Sequence, residues 1–484
     1  MPLDLSLKNL SEAFPAELGP DQRAKAQTLF LKRLSELAHV FYGGKLQTVP
    51  KCGLYGFNWF NVWYTPGVSR ISTLIRDDND ASFSLSNRGN LVAVVSDSTR
   101  VLGDGDCTPP GGLGVMEGKA FLMKYLGGVD AIALCVDSRG KDGQHDPDKI
   151  IEFVKMLQPS CGAVNLEDIS QPNCFKVLDE LREECDIPVW HDDAQGTACV
   201  TLAGLINALK LTDRKIGDAR IVLLGAGAAN TTIARLIVAD GGDPAKLIVL
   251  DSKGGLHAGR DDIRKDPRNY RKWELCESTN LKKIKTEAEA IMGADVLIGA
   301  STPGPDTIKR EWVHSMAPKS IVFACANPVP EIWPHAAKEA GAFIVATGRG
   351  DFPNQVNNSV CFPGLLKGAL LVRARKVTDG MAIGCAHSIA DFAAARGISP
   401  ENITARMDES EVFAIQAADV AVKAAEEGVA RTPLSWQDAY ARAKADIAAA
   451  RGLTDDLMKR GHIKEPPASM LAEALEWALA RCKE

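Results

Sequence analysis

The sequence predicts an α/β protein: two parallel-sheet units in tandem, with helical segments at the N and C termini. Three observations carry this. Short apolar runs alternate with helical stretches between Leu91 and Ala346, the pattern of parallel strands joined by helical crossovers. Two of the runs, Ala163-Val164-Asn165-Leu166-Glu167-Asp168 and Ile187-Pro188-Val189-Trp190-His191-Asp192-Asp193, stop on acidic pairs. A third, Arg220-Ile221-Val222-Leu223-Leu224, runs into Gly225-Ala226-Gly227 and a helix.

Composition narrows the class. A chain of 484 residues has room for two or three domains and a large core. Hydrophobic content of 45% and charged content of 24% are those of an ordinary globular protein. A net charge of −6 offers no basic surface for nucleic acid. The first twenty residues lack a basic stretch followed by an apolar run, so no signal peptide is expected. No apolar run reaches the ~18 residues of a membrane span. The 12 cysteines are scattered, with no Cys-x-x-Cys pair and no Cys/His cluster at zinc spacing. Reduced thiols in a cytoplasmic protein are the expectation, each a small buried hydrophobe.

In chain order, residues 1–45 read as amphipathic helix, to pack on the main body or on a second subunit. Residues 53–67 hold six aromatics, expected as a buried lid or interface. Tyr64 stands apart, because Thr65-Pro66-Gly67 marks a turn that would fix its phenol. The run Leu91–Asp97 reads as a buried strand, followed by a glycine-rich loop over 98–118 of the length that is usually functional. A helix is expected over 119–126. Lys119 would open it against the helix dipole, which points to a functional reason for that lysine. Strands at 130–137, 163–168 and 187–193, with helices at 148–157 and 174–184, complete a first domain over 1–197.

Helix 197–211 leads into a second domain, 198–375. Strand, Gly225-x-Gly227, helix 230–239, then strand Leu247-Ile248-Val249-Leu250-Asp251 make the dinucleotide-binding fingerprint of a Rossmann-type domain. Gly225, Gly227, Ala228, Ala229 and Asn230 would meet the pyrophosphate at the helix start, with Asn230 in place of the third glycine. Asp251 favours NAD through the ribose hydroxyls, whereas Ser252, Lys253 and Arg260 could instead cradle the 2′-phosphate of NADP. Strands at 294–300, 320–324 and 342–346 end in loops that put Ser301 and Asn327 on the nucleotide edge. Residues 376–484 read as helices (384–395, 411–428, 435–451 and 468–482) packing back on the body.

Ligands bind beyond the carboxyl ends of parallel strands. The acidic pairs Glu167-Asp168 and Asp192-Asp193 would converge there, and four carboxylates in one crevice call for a cation or a proton. All the donors are oxygens, which suits Mg²⁺ or Mn²⁺ rather than zinc. His191, inside the second acidic segment, is expected as a satisfied packing histidine. A nicotinamide with a general base reads as alcohol oxidation. A divalent ion beside it can chelate a 2-hydroxy acid and stabilise the enolate that loss of CO₂ generates.

Seven segments carry a family resemblance: Tyr64-Thr65-Pro66-Gly67-Val68, Thr99-Arg100-Val101-Leu102-Gly103, Val115-Met116-Glu117-Gly118-Lys119-Ala120, Asn165-Leu166-Glu167-Asp168-Ile169, the stretch His191 to Ala198, Ala326-Asn327-Pro328-Val329-Pro330-Glu331, and Ala346 to Asn358. In this order they resemble the malic enzymes in their shorter, prokaryotic-type form, over most of residues 40–430. The resemblance implies oxidative decarboxylation of malate to pyruvate and CO₂ with NAD or NADP and Mg²⁺ or Mn²⁺. It implies Lys119 as general base, Tyr64 as general acid and Asp192 as the residue that orients the lysine. Glu167, Asp168 and Asp193 would hold the metal, and Arg100 a substrate carboxylate. Asn327 and Asn358 would hydrogen-bond substrate or nicotinamide. The loop Gly103-Asp104-Gly105-Asp106 and the aromatic run before Tyr64 depart from the family pattern. The alternative is malolactic-type decarboxylation, or oxidation of a related 2-hydroxy acid, at the same site. The helical ends suggest a homodimer or higher homo-oligomer.

Overall fold

The computed structural model describes residues 3–102 and 104–482. Its first sheet is four-stranded and parallel, in the order β2-β1-β3-β4, with β1 Leu91–Ser96, β2 Asp130–Cys135, β3 Ala163–Leu166 and β4 Val189–His191. Val92 to Val95 and Ala163 to Leu166 are buried without a break. Parallel strands covered on both faces read as continuous apolar runs, which is why the sequence exposes them.

The second sheet has six strands in the order β10-β9-β8-β5-β6-β7. These are β5 Ile221–Leu224, β6 Leu247–Asp251, β7 Gly254–Gly255, β8 Val296–Gly299, β9 Ile321–Ala324 and β10 Ile344–Thr347. All pair in parallel except β7, which turns back antiparallel on β6. The chain leaves β5 toward β6 on one side and resumes at β8 on the other. The crevice of such a doubly wound sheet opens at that switch.

Helix Thr197–Leu211 runs between the sheets and packs on helix Asp379–Arg396. Helix Phe362–Leu371 lies against helices Leu113–Gly127 and Glu411–Glu426. One hydrophobic cluster therefore holds Trp190 from the first sheet, Leu223 and Val249 from the second, and Val412 and Ala443 from the C-terminal helices. At the other end Phe14, Ala26 and Phe30 meet Ala474 and Ala478, so helix Pro20–Tyr42 packs on helix Ala468–Arg481.

Two expectations are corrected. Lys119 does not open a helix: Leu113–Gly127 is one helix, and Lys119 lies in its interior. The low propensity of Gly114 and Gly118 is overridden by burial of Met116, Ala120 and Met123 along one face, and the dipole gives no reason for the lysine. The aromatic run is also not buried. Tyr55, Phe57 and Tyr64 are 79%, 85% and 72% exposed, and the rings of this segment touch one another edge-on or tilted (Tyr55 with Trp59, Phe57 with Phe60, Trp59 with Trp63). Among the described residues no helix is long and apolar enough to cross a membrane. The twelve cysteines are unbridged. Gly103, in the loop that departs from the family pattern, lies outside the described residues.

Candidate functional site

Strands β3 and β4 are neighbours with Leu166 opposite His191, so both acidic pairs leave the sheet side by side. Asp192–Gly196 then makes a single π-helical turn before helix Thr197–Leu211. Single π turns recur at functional sites because they aim a side chain off the regular helical ladder. Only glycine fits at 196, since a Cβ there would overlap the Asp192 carboxylate and stand 3.2 Å from Cβ of Asn358. On the other pair, Asp168 takes a left-handed backbone with φ of 53°. That conformation is rare for a side chain other than glycine and persists only where the surroundings fix it. Here the Asp168 amide donates to Asp193 Oδ2 at 2.7 Å, and its carbonyl accepts from the Arg100 amide at 2.9 Å.

Lys119 reaches into this group. Its Nζ lies 2.9 Å from Glu167 Oε1, donates to Asp192 Oδ2, and sits 4.7 Å from the centre of the Phe362 ring. Each acid has a further donor: Trp190 Nε1 to Asp192 Oδ1 at 3.1 Å and Asn165 Nδ2 to Glu167 Oε2 at 2.9 Å. Burial works against the Lys119 charge, but Asp192, Glu167 and Asp193 outweigh it and hold the ammonium proton well above its usual range. Burial likewise raises Glu167 and Asp192, and burial with the Asp193 charge pushes Asp168 up to about 8. Glu167, Asp168 and Asp192, buried beside one ammonium, bind protons more tightly than the isolated groups do.

The same excess of negative charge suits a cation. Glu167, Asp168 and Asp193 each offer an oxygen within 4.8 Å of the others, and Asp168 Oδ2 is buried with no hydrogen-bond partner. A hard divalent ion fits three such oxygens. His191 needs correction: it is fully buried, yet both ring nitrogens lack a partner, so it is not a satisfied packing histidine. Burial lowers its pKa, which keeps the ring neutral beside Asp193, 3.8 Å away.

The dinucleotide crevice lies at the ends of β5 and β8. Gly225 has φ of 101°, and a Cβ on it would stand 2.5 Å from the Ala300 carbonyl, so backbone meets backbone there. Around Gly227 a Cβ would meet nothing within 4 Å, which leaves open space at the start of helix Ala228–Ala239. Asn230 is buried and donates to the Leu224 and Gly225 carbonyls at 2.8 and 2.9 Å, tying helix to strand where a third glycine would allow close packing. Asp251 is held in a two-point pair by Arg260, at 2.9 and 2.8 Å, and Arg260 is held on its other edge by Asp262. Ser252 and Lys253 follow on an exposed turn, with Lys253 Nζ 3.3 Å from Asp262.

The malic enzyme N-terminal domain model matches residues 57–182, and the malic enzyme NAD-binding domain model matches residues 194–426. The crystal structure of the malic enzyme of Entamoeba histolytica is 61% identical, superposes with a TM-score of 0.99 and is covered over 100% of both chains. The NAD-dependent malic enzyme of Geobacillus stearothermophilus is 45% identical over 73% of this chain and 70% of its own. The bifunctional malic/malolactic enzyme of Bacillus subtilis is 41% identical over 81% of this chain and 93% of its own. The chain belongs to the malic enzyme family. Lys119, Glu167 and Asp168 fall in the malic enzyme N-terminal match, and the residues expected at the dinucleotide in the NAD-binding match. Asp192 and Asp193 lie in the short join between the two matched regions.

Of the expected site residues, the malic enzyme fold brings Lys119, Glu167, Asp168, Asp192 and Asp193 into one cluster, with Arg100 and Asn358 at its margin. Asn327 packs at Gly348, where a Cβ would stand 2.8 Å from its Nδ2. Tyr64 is not brought in: no hydrogen bond or ion pair joins its phenol to the cluster among the described residues. Four residues escaped the sequence reading. Asn165 and Trp190 stand two positions before Glu167 and Asp192, on the same side of their strands, and that period was the available signal. Phe362 and Glu331 come from distant elements. Glu331 is fully buried and accepts from the Ser301 amide at 2.8 Å, the Ser301 hydroxyl at 3.2 Å and the Ala326 amide at 3.0 Å.

Proposed function

We propose that the chain oxidises malate and decarboxylates it to pyruvate and CO₂, with NAD as the preferred acceptor and Mg²⁺ or Mn²⁺ held by Glu167, Asp168 and Asp193. The observation that carries this reading is Lys119, buried between Glu167 and Asp192 at the strand ends. A dinucleotide bound at Gly225 to Asn230 would supply the hydride acceptor, and a divalent ion on Glu167, Asp168 and Asp193 would supply Lewis-acid stabilisation. Arg100 pairs with a substrate carboxylate. Lys119 removes the C2 hydroxyl proton. With Glu167 engaged as a metal ligand, Lys119 keeps Asp192 as its principal counter-ion, and its hold on the proton loosens. Trp190 fixes Asp192 from the far side. Tyr64 is the proposed donor to the enolate carbon after CO₂ has left, a role that requires its exposed segment to be brought to the cluster it stands apart from in the single chain. Asn327 and Asn358 orient substrate and nicotinamide. Residues 1–197, 198–375 and 376–484 serve as catalytic, dinucleotide-binding and covering parts.

The preference for NAD rests on Arg260. Its guanidinium is spent on Asp251 and Asp262, so a 2′-phosphate would have to displace two carboxylates to reach it. The deciding assay follows pyruvate and reduced cofactor together, with malate, NAD or NADP, and Mn²⁺ or EDTA. Equal amounts of pyruvate and NADH, abolished by EDTA, are expected. Lactate formed without NADH would replace this reading by the malolactic one, which the similarity to the bifunctional Bacillus subtilis enzyme keeps in view. Lys119→Ala is expected to lose malate oxidation, while Tyr64→Phe keeps oxaloacetate reduction better than pyruvate release. Equal losses of both partial reactions in Tyr64→Phe would remove the separate roles.

A further inference from the structure

A cavity of about 150 Å³ lies away from the strand-end site, where three helices meet. They are Asn173–Glu184 of the first sheet's crossover, Ala228–Ala239 behind the dinucleotide loop, and Tyr270–Ser278. Phe175, Leu178, Ala234 and Val238 form its apolar part, and Arg235, Arg271, Asp179, Glu274 and Thr231 its polar part. We propose that this cavity binds a small monocarboxylate with a short apolar chain, and that its occupant regulates the active site.

The charge arrangement selects the carboxylate. Arg271 is consumed by Asp179, at 2.7 and 3.2 Å, and by Glu274 at 3.2 Å. Arg235 is not: its one hydrogen bond among the described residues goes to Asp379 at 2.9 Å, and Asp379 is shared with Arg182 at 3.7 Å. A guanidinium carries five donors in a planar fork that matches a carboxylate. Burial depresses the Arg235 pKa, against the Asp379 charge and with Arg271 and Arg182 adding to it. Thr231 is buried, and its hydroxyl has no partner among the described residues, an unmet polar group in the cavity wall. A guanidinium with donors left over after its one bond to Asp379, beside an apolar floor, suits one carboxylate with a hydrocarbon tail. A cavity of 150 Å³ holds a ligand about the size of benzene.

The position supplies the coupling. Helix Ala228–Ala239 packs against the Asp192–Gly196 turn, so an occupant that wedges this helix against helix Asn173–Glu184 bears on the turn that carries Asp192 and Asp193.

The test uses the full chain and sodium butanoate. Calorimetry is expected to show one saturable site per chain, weakened about tenfold or more in Arg235→Gln and lost in Val238→Phe, which fills the apolar end. Inorganic phosphate, an anion without a tail, is expected to bind more weakly. In steady-state assays butanoate is expected to lower KM for malate by about fivefold in the native chain and to leave Arg235→Gln unchanged. That last readout rests on the malic enzyme reading, whereas the calorimetry does not. No binding, or binding that survives both substitutions and is displaced by malate, would overturn the site. Phosphate binding as well as butanoate would overturn the ligand class, and binding without a change in KM would overturn the regulation.

Discussion

Lys119 illustrates how much one residue's chemistry depends on where its neighbours emerge. A buried ammonium alone would shed its proton, yet between Glu167 and Asp192 it keeps it, because two near carboxylates outweigh desolvation. Glu331 acts at the same scale without touching the cluster. Its carboxylate collects three donors from the loops after β8 and β9, and those loops carry Ser301 and Asn327. Glu331→Gln would turn an amide NH₂ toward an N–H that needs an acceptor, at a cost of about 1–3 kcal/mol. KM for the dinucleotide is expected to rise about tenfold. KM for oxaloacetate in the reverse partial reaction should move less, and steady-state kinetics on both substrates checks the split.

At the scale of elements, the ends of β3 and β4 work as one unit. Their parallel register sets two acidic pairs beside each other, and the π turn after β4 sends Asp192 toward Lys119 and Asp193 toward Asp168. Folding therefore lifts Asp168 from its ordinary value of 3.8 up to about 8. The folded form keeps a proton that the unfolded chain releases. Stability should thus fall as pH rises through the window between those two values. With EDTA present, the thermal midpoint is expected to drop between about pH 5 and pH 8. Mn²⁺ competes with that proton, so it should raise the midpoint more at the higher pH. A midpoint independent of pH in EDTA would detach Asp168 from the cluster.

The whole molecule is knitted by a core that ignores the order of the chain. Trp190, Leu223 and Val412 share one cluster, so catalytic sheet, dinucleotide sheet and C-terminal helices fold on common ground. Against that economy the aromatic segment is an exception, with Tyr55, Phe57, Phe60, Trp63 and Tyr64 all exposed. Exposed aromatic surface of this kind marks an interaction site. A second copy covering it would account for the rings and bring Tyr64 into protein surroundings. Light scattering is expected to give at least a dimer for the native chain and a smaller species for Phe57→Glu. A native monomer in solution would leave the segment needing another explanation.

The sequence by itself determined the two sheets, because fully buried parallel strands must be apolar throughout. It likewise determined the acidic pairs at the ends of β3 and β4, because an apolar run that gives way to two carboxylates has left the covered middle of its sheet. The glycine fingerprint at 225–227 was legible for a similar reason: only glycine allows the backbone approach to Ala300. The start of the helix that carries Lys119 was not legible, since the burial of Met116 and Met123 that overrides its glycines is a tertiary fact. Nor was the second partner of Lys119, Glu167, 48 positions away, or the bond from Ser301 to Glu331, 30 positions away. Three scattered cysteines, 199, 361 and 385, likewise share one buried pocket that no spacing announces. Patterns of period two or 3.6 record what a strand or helix does with its own neighbours. Which side chains from separate elements end in contact is decided by packing, and there the charges of the site acquire their partners.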